Sequence, residues 1–130
     1  MADPTKHVLV LAGLTVVSGA LRAALHARAA RGPAEFTLLL PASEDGAAGH
    51  RERLLVAVER LRADGLDVAG QLGDPDPLLA VRQVWDPVEY DEIVLSTFPP
   101  GRSGWLERGV PRALERATGV PVAHVVAESP

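Results

Sequence analysis

Lys6-His7-Val8-Leu9-Val10-Leu11-Ala12 is a nearly unbroken aliphatic run. Such a run marks a strand covered on both faces, not one alternating between core and water. The period then changes. Ser18 is placed to cap a helix running to about Arg31, with Leu21, Ala24, Leu25 and Arg28 at helical spacing and Gly32-Pro33 as the stop. Glu35 to Leu40 reads as the second strand, and Pro41-Ala42-Ser43-Glu44-Asp45-Gly46 as a loop of turn formers expected to move. From Gly49 to Asp64, Leu54, Leu55, Val58 and Leu61 form an apolar stripe opposite Arg51, Glu52, Glu59, Arg60 and Arg62, with Gly65 as the stop.

Leu66 to Leu72 reads as the third strand. Gly73-Asp74-Pro75-Asp76-Pro77 follows, with Asp76 as N-cap and Pro77 as first residue of a helix over Leu78 to Trp85. Ile93-Val94-Leu95 is the core of a fourth strand predicted to end at Ser96. Gly104 to Thr118 is helical in pattern, but Pro111 removes a backbone donor, so a first turn around Trp105, a bend and a main helix from Pro111 are expected. Gly119 stops that helix, and Val120 to Val126 is the fifth strand, with Pro121 tolerated near the start of an edge strand.

Strands alternating with helices predict an α/β fold. We expect a single domain over residues 1–130 with tails at 1–5 and 127–130. It should be a Rossmann-like or flavodoxin-like three-layer structure with a five-stranded parallel sheet in the order 3-2-1-4-5. In such sheets ligands lie beyond the carboxyl ends of the strands where the order reverses, here strands one and four. Attention therefore falls on the loops Gly13 to Gly19 and Ser96 to Gly104.

Composition narrows the choices. Hydrophobic residues make up 47% and charged residues 23%, as in ordinary globular chains. A formal charge of −4 argues against nucleic acid or anionic membrane as partner. The absence of cysteine removes disulfides, thiolate metal sites and a cysteine nucleophile, and is compatible with a reducing compartment. The apolar run Val8 to Val17 mimics a leader peptide, but Asp3 precedes it and Gly13 and Thr15 interrupt it, so a strand and a cytoplasmic location are expected.

The first loop, Gly13-Leu14-Thr15-Val16-Val17-Ser18-Gly19, offers glycine and hydroxyls at a strand-to-helix junction, where amides can hold an anion. It has five residues between its glycines and no following lysine, so it is not a P-loop, and it lacks the dinucleotide fingerprint. A plain capping turn is the competing reading. The second loop, Pro99-Pro100-Gly101-Arg102-Ser103-Gly104, follows Ser96-Thr97 and joins two glycines, a guanidinium and a hydroxyl ahead of a helix. Glycines let amides converge on phosphate, and Arg102 adds a bidentate charged contact. A proline-stiffened turn with Ser103 as cap and Arg102 in solvent is the alternative. The candidate binding residues are Gly13, Thr15, Ser96, Thr97, Gly101, Arg102, Ser103 and Gly104.

Other features point to structure. Arg108, Arg112 and Arg116 read as a solvated helix face beside Glu107 and Glu115. Trp85 and Trp105 read as core, with stacking on a ligand the alternative for Trp105. His7, His26, His50 and His124 sit on different elements without metal-ligand spacing. Asp74 and Asp76 suit a turn and a cap. No G-x-S-x-G elbow or spaced carboxylate pair marks a catalytic centre.

Strand one, Gly73-Asp74-Pro75 after strand three, the Gly-rich loop after strand four, and Gly119-Val120-Pro121-Val122 before the last strand together resemble the universal stress protein family over Lys6 to Val126. The resemblance implies the same five-stranded fold and a homodimer formed through the last strand. One branch of that family binds ATP with Gly, two residues, Gly, nine residues, then Gly-Ser or Gly-Thr. Here Ser96, Pro99 and Gly109-Val110 occupy those positions, so one of four survives, and Ala12-Gly13-Leu14 stands where the family usually has an aspartate. Gly101-Arg102-Ser103-Gly104 keeps the short glycine spacing but places Leu114-Glu115 at the far end. ATP or AMP as cofactor stays open.

The expected function is a non-catalytic, universal-stress-protein-like regulatory domain that binds a nucleotide or other small anion between strands one and four. A ligand-free dimeric interaction module is the alternative, and a small phosphatase or nucleotide hydrolase comes third. Between Pro121 and Ala127 only His124 is polar, so the last strand has little charge to guard an exposed edge against pairing.

Overall fold

The computed structural model describes residues 4–42 and 47–128. The strands β1 (Lys6–Ala12), β2 (Ala34–Pro41), β3 (Asp67–Gly73), β4 (Glu92–Thr97) and β5 (Val122–Val126) form a sheet in the order β3-β2-β1-β4-β5. Every neighbouring pair is parallel. This is the doubly wound α/β, flavodoxin-like arrangement expected from the sequence. The helices are α1 (Gly19–Ala30), α2 (Ala47–Ala63), α3 (Pro77–Val84), α4 (Gly104–Glu107) and α5 (Val110–Thr118), and a 3₁₀ turn spans Leu14–Val17.

Side-chain alternation along β1 explains its continuous apolar run. Val8, Val10 and Ala12 face a cluster with Leu21 and Leu25 of α1 and Leu54, Val58 and Leu61 of α2. Leu9 and Leu11 face Ala80 and Val81 of α3 and Val110 and Leu114 of α5. Val8 through Ala12 are wholly buried. A strand with helices on both sides needs apolar residues at every position, and each fully buried Leu or Val adds roughly 1.5–3 kcal/mol. Trp85 stacks on Tyr90 with ring centroids 5.5 Å apart, and both belong to the second cluster, as expected for Trp85.

The caps follow the sequence closely. Ser18 Oγ accepts from Leu21 N–H, and Asp76 accepts from Leu78 and Leu79 N–H with Pro77 beginning α3. Gly119, at φ 74, ends α5. The bend before Pro111 is present, with Gly109 at φ 70 between α4 and α5.

Some boundaries move. β4 continues one residue beyond the predicted Ser96, because Thr97 still pairs with Val126. β5 starts at Val122, not Val120, since Pro121 has no N–H to give the ladder and pairing opens at Ile93 with Val122. α2 starts at Ala47, two residues before the predicted Gly49. Residues 43–46 of the predicted mobile loop lie outside the described residues, as do 1–3 and 129–130 of the predicted tails.

Ion pairs tie the helices at the rim. Arg22 of α1 donates Nε and Nη2 to the Asp64 carboxylate at 2.7 and 2.6 Å, and His26 Nε2 lies 2.8 Å from the same group. These partners, Arg22 foremost, hold the Asp64 carboxyl well below the usual carboxylate range. Arg28 grips Glu92 in the same two-pronged way and lowers its pKa. Exposed pairs contribute little beside core burial, about 0–1 kcal/mol each.

Two predictions follow from this frame. A Cβ at Gly73 would lie 2.8 Å from Leu39 Cδ1 and 2.9 Å from Ala80 Cβ, and the latter is fixed to the α3 backbone. Gly73→Ala should therefore cost about 1–3 kcal/mol, read as a lowered denaturation midpoint at unchanged slope. Because the folded pKa of Asp64 lies below its unfolded value of ~3.9, its contribution is present above that pH and is lost as pH falls through the folded pKa. The stability gap between the native protein and Asp64→Asn should hold at neutral pH and shrink below about pH 4. A gap independent of pH would dismiss the pairing.

Candidate functional site

The order reversal at β1 and β4 leaves a cleft, because the chain leaves β1 toward one face of the sheet and leaves β4 toward the other. Here it is a cavity of about 340 Å³ at the carboxyl ends of these strands. Pockets for small molecules span ~300–1,000 Å³, so its volume falls at the lower end of that range.

Seven of the eight predicted site residues line it: Gly13, Thr15, Ser96, Thr97, Arg102, Ser103 and Gly104. Gly101 does not. At φ 88 it serves a turn in which Arg102 N–H donates to Pro99 O at 3.0 Å. That turn uses one of the amides expected to converge on an anion.

On the β1 side the 3₁₀ turn places Thr15 inward. Its Oγ1 lies 2.7 Å from Ser96 Oγ, joining the ends of the two central strands through a pair of hydroxyls that are both almost fully buried. One bond uses one of their two hydroxyl hydrogens, so the pair retains donor capacity beside the cavity. Ser18 caps α1 and is not in the cavity wall, so the first loop holds both the capping turn and the Gly13-Thr15 wall.

On the β4 side, the Thr97 hydroxyl donates to the Phe98 carbonyl at 2.8 Å and lies 2.8 Å from His124 Nε2. With its only hydrogen spent, Thr97 accepts from a protonated Nε2. Burial lowers the His124 pKa, which favours the neutral ring, and the contact with Thr97 then calls for the proton on Nε2. Ser103 Oγ accepts from Leu106 N–H at 3.3 Å, so it is the cap of α4 as well as part of the wall. Arg102 lies over the Phe98 ring, its Cζ 5.4 Å from the centroid, and Nη2 donates to Glu128 O.

Trp105 is half-buried, packs against the second core cluster and lines the cavity, so both readings of it hold in part. Its Cζ2 and Cη2 lie 3.6 Å from where a Gly13 Cβ would stand. The indole thus borders the end of β1 at Gly13. Pro41, His50, Pro75, Phe98 and Leu14 complete the wall and were not singled out as site residues in the sequence. Pro41 ends β2 and Pro75 follows β3, so their places at the same rim as Gly13 and Ser96 follow from parallel topology. His50 carries no comparable sequence signal.

The remaining polar candidates have structural partners. Asp74 accepts from Asp76 N–H at 2.9 Å, Asp76 caps α3, and Arg108, Arg112 and Arg116 are exposed. Among the described residues no group of three or more His, Asp or Glu is placed to hold a metal ion. The geometry suits binding through hydroxyl donors, one guanidinium and an apolar wall.

No protein-family model and no curated protein sequence matches the chain. Solved structures are similar. A universal stress protein from Archaeoglobus fulgidus aligns over 92% of this chain and 94% of its own, with a TM-score of 0.59 and 19% identity. A universal stress protein in complex with cAMP aligns over 94% of this chain and 98% of its own, with a TM-score of 0.59 and 21% identity. The chain has the fold of the universal stress proteins.

Proposed function

We propose that this chain is a universal-stress-protein-like regulatory domain of the stress response, a single non-catalytic domain of the cytoplasm. In this reading it binds a nucleotide or another small phosphate-bearing anion between the ends of β1 and β4. The observation that carries the reading is the cavity, which brings together the Thr15–Ser96 hydroxyl pair, Ser103 and Arg102 beside the apolar surfaces of Pro41, Pro75, Phe98 and Trp105. Hydroxyls and a guanidinium suit a phosphate, and an apolar wall suits a planar ring. A protein of this fold in complex with cAMP supports the same class of ligand.

The site favours a monophosphate over a triphosphate. Pro99 has no N–H, and the Arg102 N–H is spent on the Pro99 carbonyl, so the loop offers fewer amides than a polyphosphate needs. Equilibrium binding of AMP, cAMP and ATP to the dialysed protein should show AMP or cAMP tighter than ATP. Arg102→Ala should weaken the interaction roughly ten- to a hundredfold, the loss of a charged hydrogen bond. Absence of binding by all three would remove the nucleotide reading, and release of phosphate would move it toward hydrolysis.

The ligand-free interaction module is favoured by β5. It is an edge strand whose outer amides and carbonyls have no sheet neighbour, and Val126 is 44% exposed. Val122 and Val125 pack against their own core clusters, which leaves Val126 as the large apolar side chain of β5 available to a second copy, beside the exposed Ala123. No helix among the described residues is long and apolar enough to cross a membrane. The proposed homodimer through β5 should appear as doubled mass in light scattering at micromolar concentration, and Val126→Asp should yield a folded monomer. A native monomer would end the proposal.

A further inference from the structure

The sheet has a second free edge, at β3. Residues of a strand turn their N–H and C=O groups alternately to its two sides. Gly73 O accepts Ala42 N–H from the β2 side, so the backbone groups of Asp67, Ala69 and Gln71 also turn to β2, and those of Val68, Gly70 and Leu72 turn outward. Arg62 Nε donates to Val68 O at 2.7 Å, which agrees with that assignment and covers one end of the edge. The N–H and C=O groups of Gly70 and Leu72 are left without a strand to meet. From Val68 to Gly73 the strand has neither proline nor charge, two common guards of such an edge.

Helix α2 lies close along this edge. A Cβ on Gly70 would stand 2.9 Å from Val58 Cγ2 and 3.0 Å from Leu54 Cγ, so glycine lets the helix settle on the strand. Beside them runs an open groove of about 440 Å³, walled by Leu54, Leu55, Val58 and Leu72, with Arg51 and Arg62 as its charged residues. The groove is thus cationic in a chain whose formal charge is −4. Among the described residues Arg51 has no hydrogen-bond or ion-pair partner, and Arg62 keeps its Nη1–Nη2 edge after serving Val68. Glu52 and Glu59 are exposed further round α2 and do not line the groove, and the Asp67 side chain leaves β3 on the face opposite Val68.

A second copy of this chain fits the groove poorly. An antiparallel contact of two α2 helices centred between Leu55 and Val58 sets Arg51 of one copy against Arg62 of the other, and like charges brought together repel. We infer that β3 and α2 form a docking site for an extended acidic peptide of another protein. The peptide adds as a sixth strand on Gly70 and Leu72, seats an apolar side chain against Leu55 and Val58, and gives a carboxylate to each arginine. Along α2 the arginines are about 16 Å apart at ~1.5 Å per residue, a span that an extended chain covers in about five residues. The pattern is therefore acidic, any, apolar, any, acidic, which puts both carboxylates and the apolar residue on one face. This site is separate from the cavity at β1 and β4 and does not depend on what binds there.

The test is an NMR titration of the full chain with the peptide acetyl-Thr-Glu-Thr-Val-Thr-Glu-Thr-amide. The peptide should shift the amides of Gly70 and Leu72 and slow their hydrogen exchange, while those of β5 stay unchanged. A peptide with lysine in place of both glutamates should bind at least tenfold more weakly. Arg51→Glu, a change at an exposed side chain, should weaken the glutamate peptide about tenfold and strengthen the lysine one. No response of Gly70 and Leu72 to the glutamate peptide at millimolar concentration overturns the site, and an equal response to both peptides overturns its acidic partner. A solution dimer that Leu55→Asp dissociates assigns the groove to a second copy and overturns peptide docking as well.

Discussion

Burial of β1 on both faces is the constraint from which the rest of this architecture follows. Val8 through Ala12 have no contact with water, so the strand must be central, and helices must cover it from both sides. Crossovers of one hand then send the chain to one face on the β3-β2 side and to the other on the β4-β5 side. The cleft between the ends of β1 and β4 is a by-product of that division. Fold stability and the place of the candidate site therefore have one origin, and the hydroxyl pair Thr15 and Ser96 closes the bottom of the cleft.

The fold was legible because its signals are local. Continuous apolar runs give the strands, the stripe on α2 gives a helix, and Ser18, Asp76 and Gly119 cap where their chemistry suggests. Topology then places Gly13, Thr15, Ser96 and Thr97 together, although 81 residues separate Thr15 from Ser96. What stayed hidden depends on tertiary geometry. The partner of Arg102 is a backbone carbonyl 26 residues away, and every residue has such a group, so no spacing or residue type announces it. His50 reaches the wall only because of where α2 begins. The strand boundaries shifted for a similar reason, since Thr97 belongs to β4 only through its partner Val126.

The two sides of the cleft differ in kind. On the β4 side, bonds run to side chains with at least one exposed partner: Arg102 to Glu128, the buried Thr97 to the exposed His124, and the guanidinium over Phe98. Such contacts can be exchanged for others at small cost. The β1 side is held by core packing and by the buried Thr15 hydroxyl, whose loss would leave its partner Ser96 at the end of β4 unpaired.

The loop after β3 extends this contrast. Gly73 lies so close to Leu39 and Ala80 that it cannot carry a side chain without displacement, and its carbonyl accepts Ala42 N–H at 3.2 Å. That bond links the loop carrying Pro75 to the chain just past Pro41, so two prolines with fixed φ are joined across the rim. This wall has little freedom left to lose when a guest arrives, and ordering it adds little entropic penalty. For the ligand proposed above, selectivity by shape would therefore belong to the proline wall, and accommodation of differently sized guests to the opposite bank.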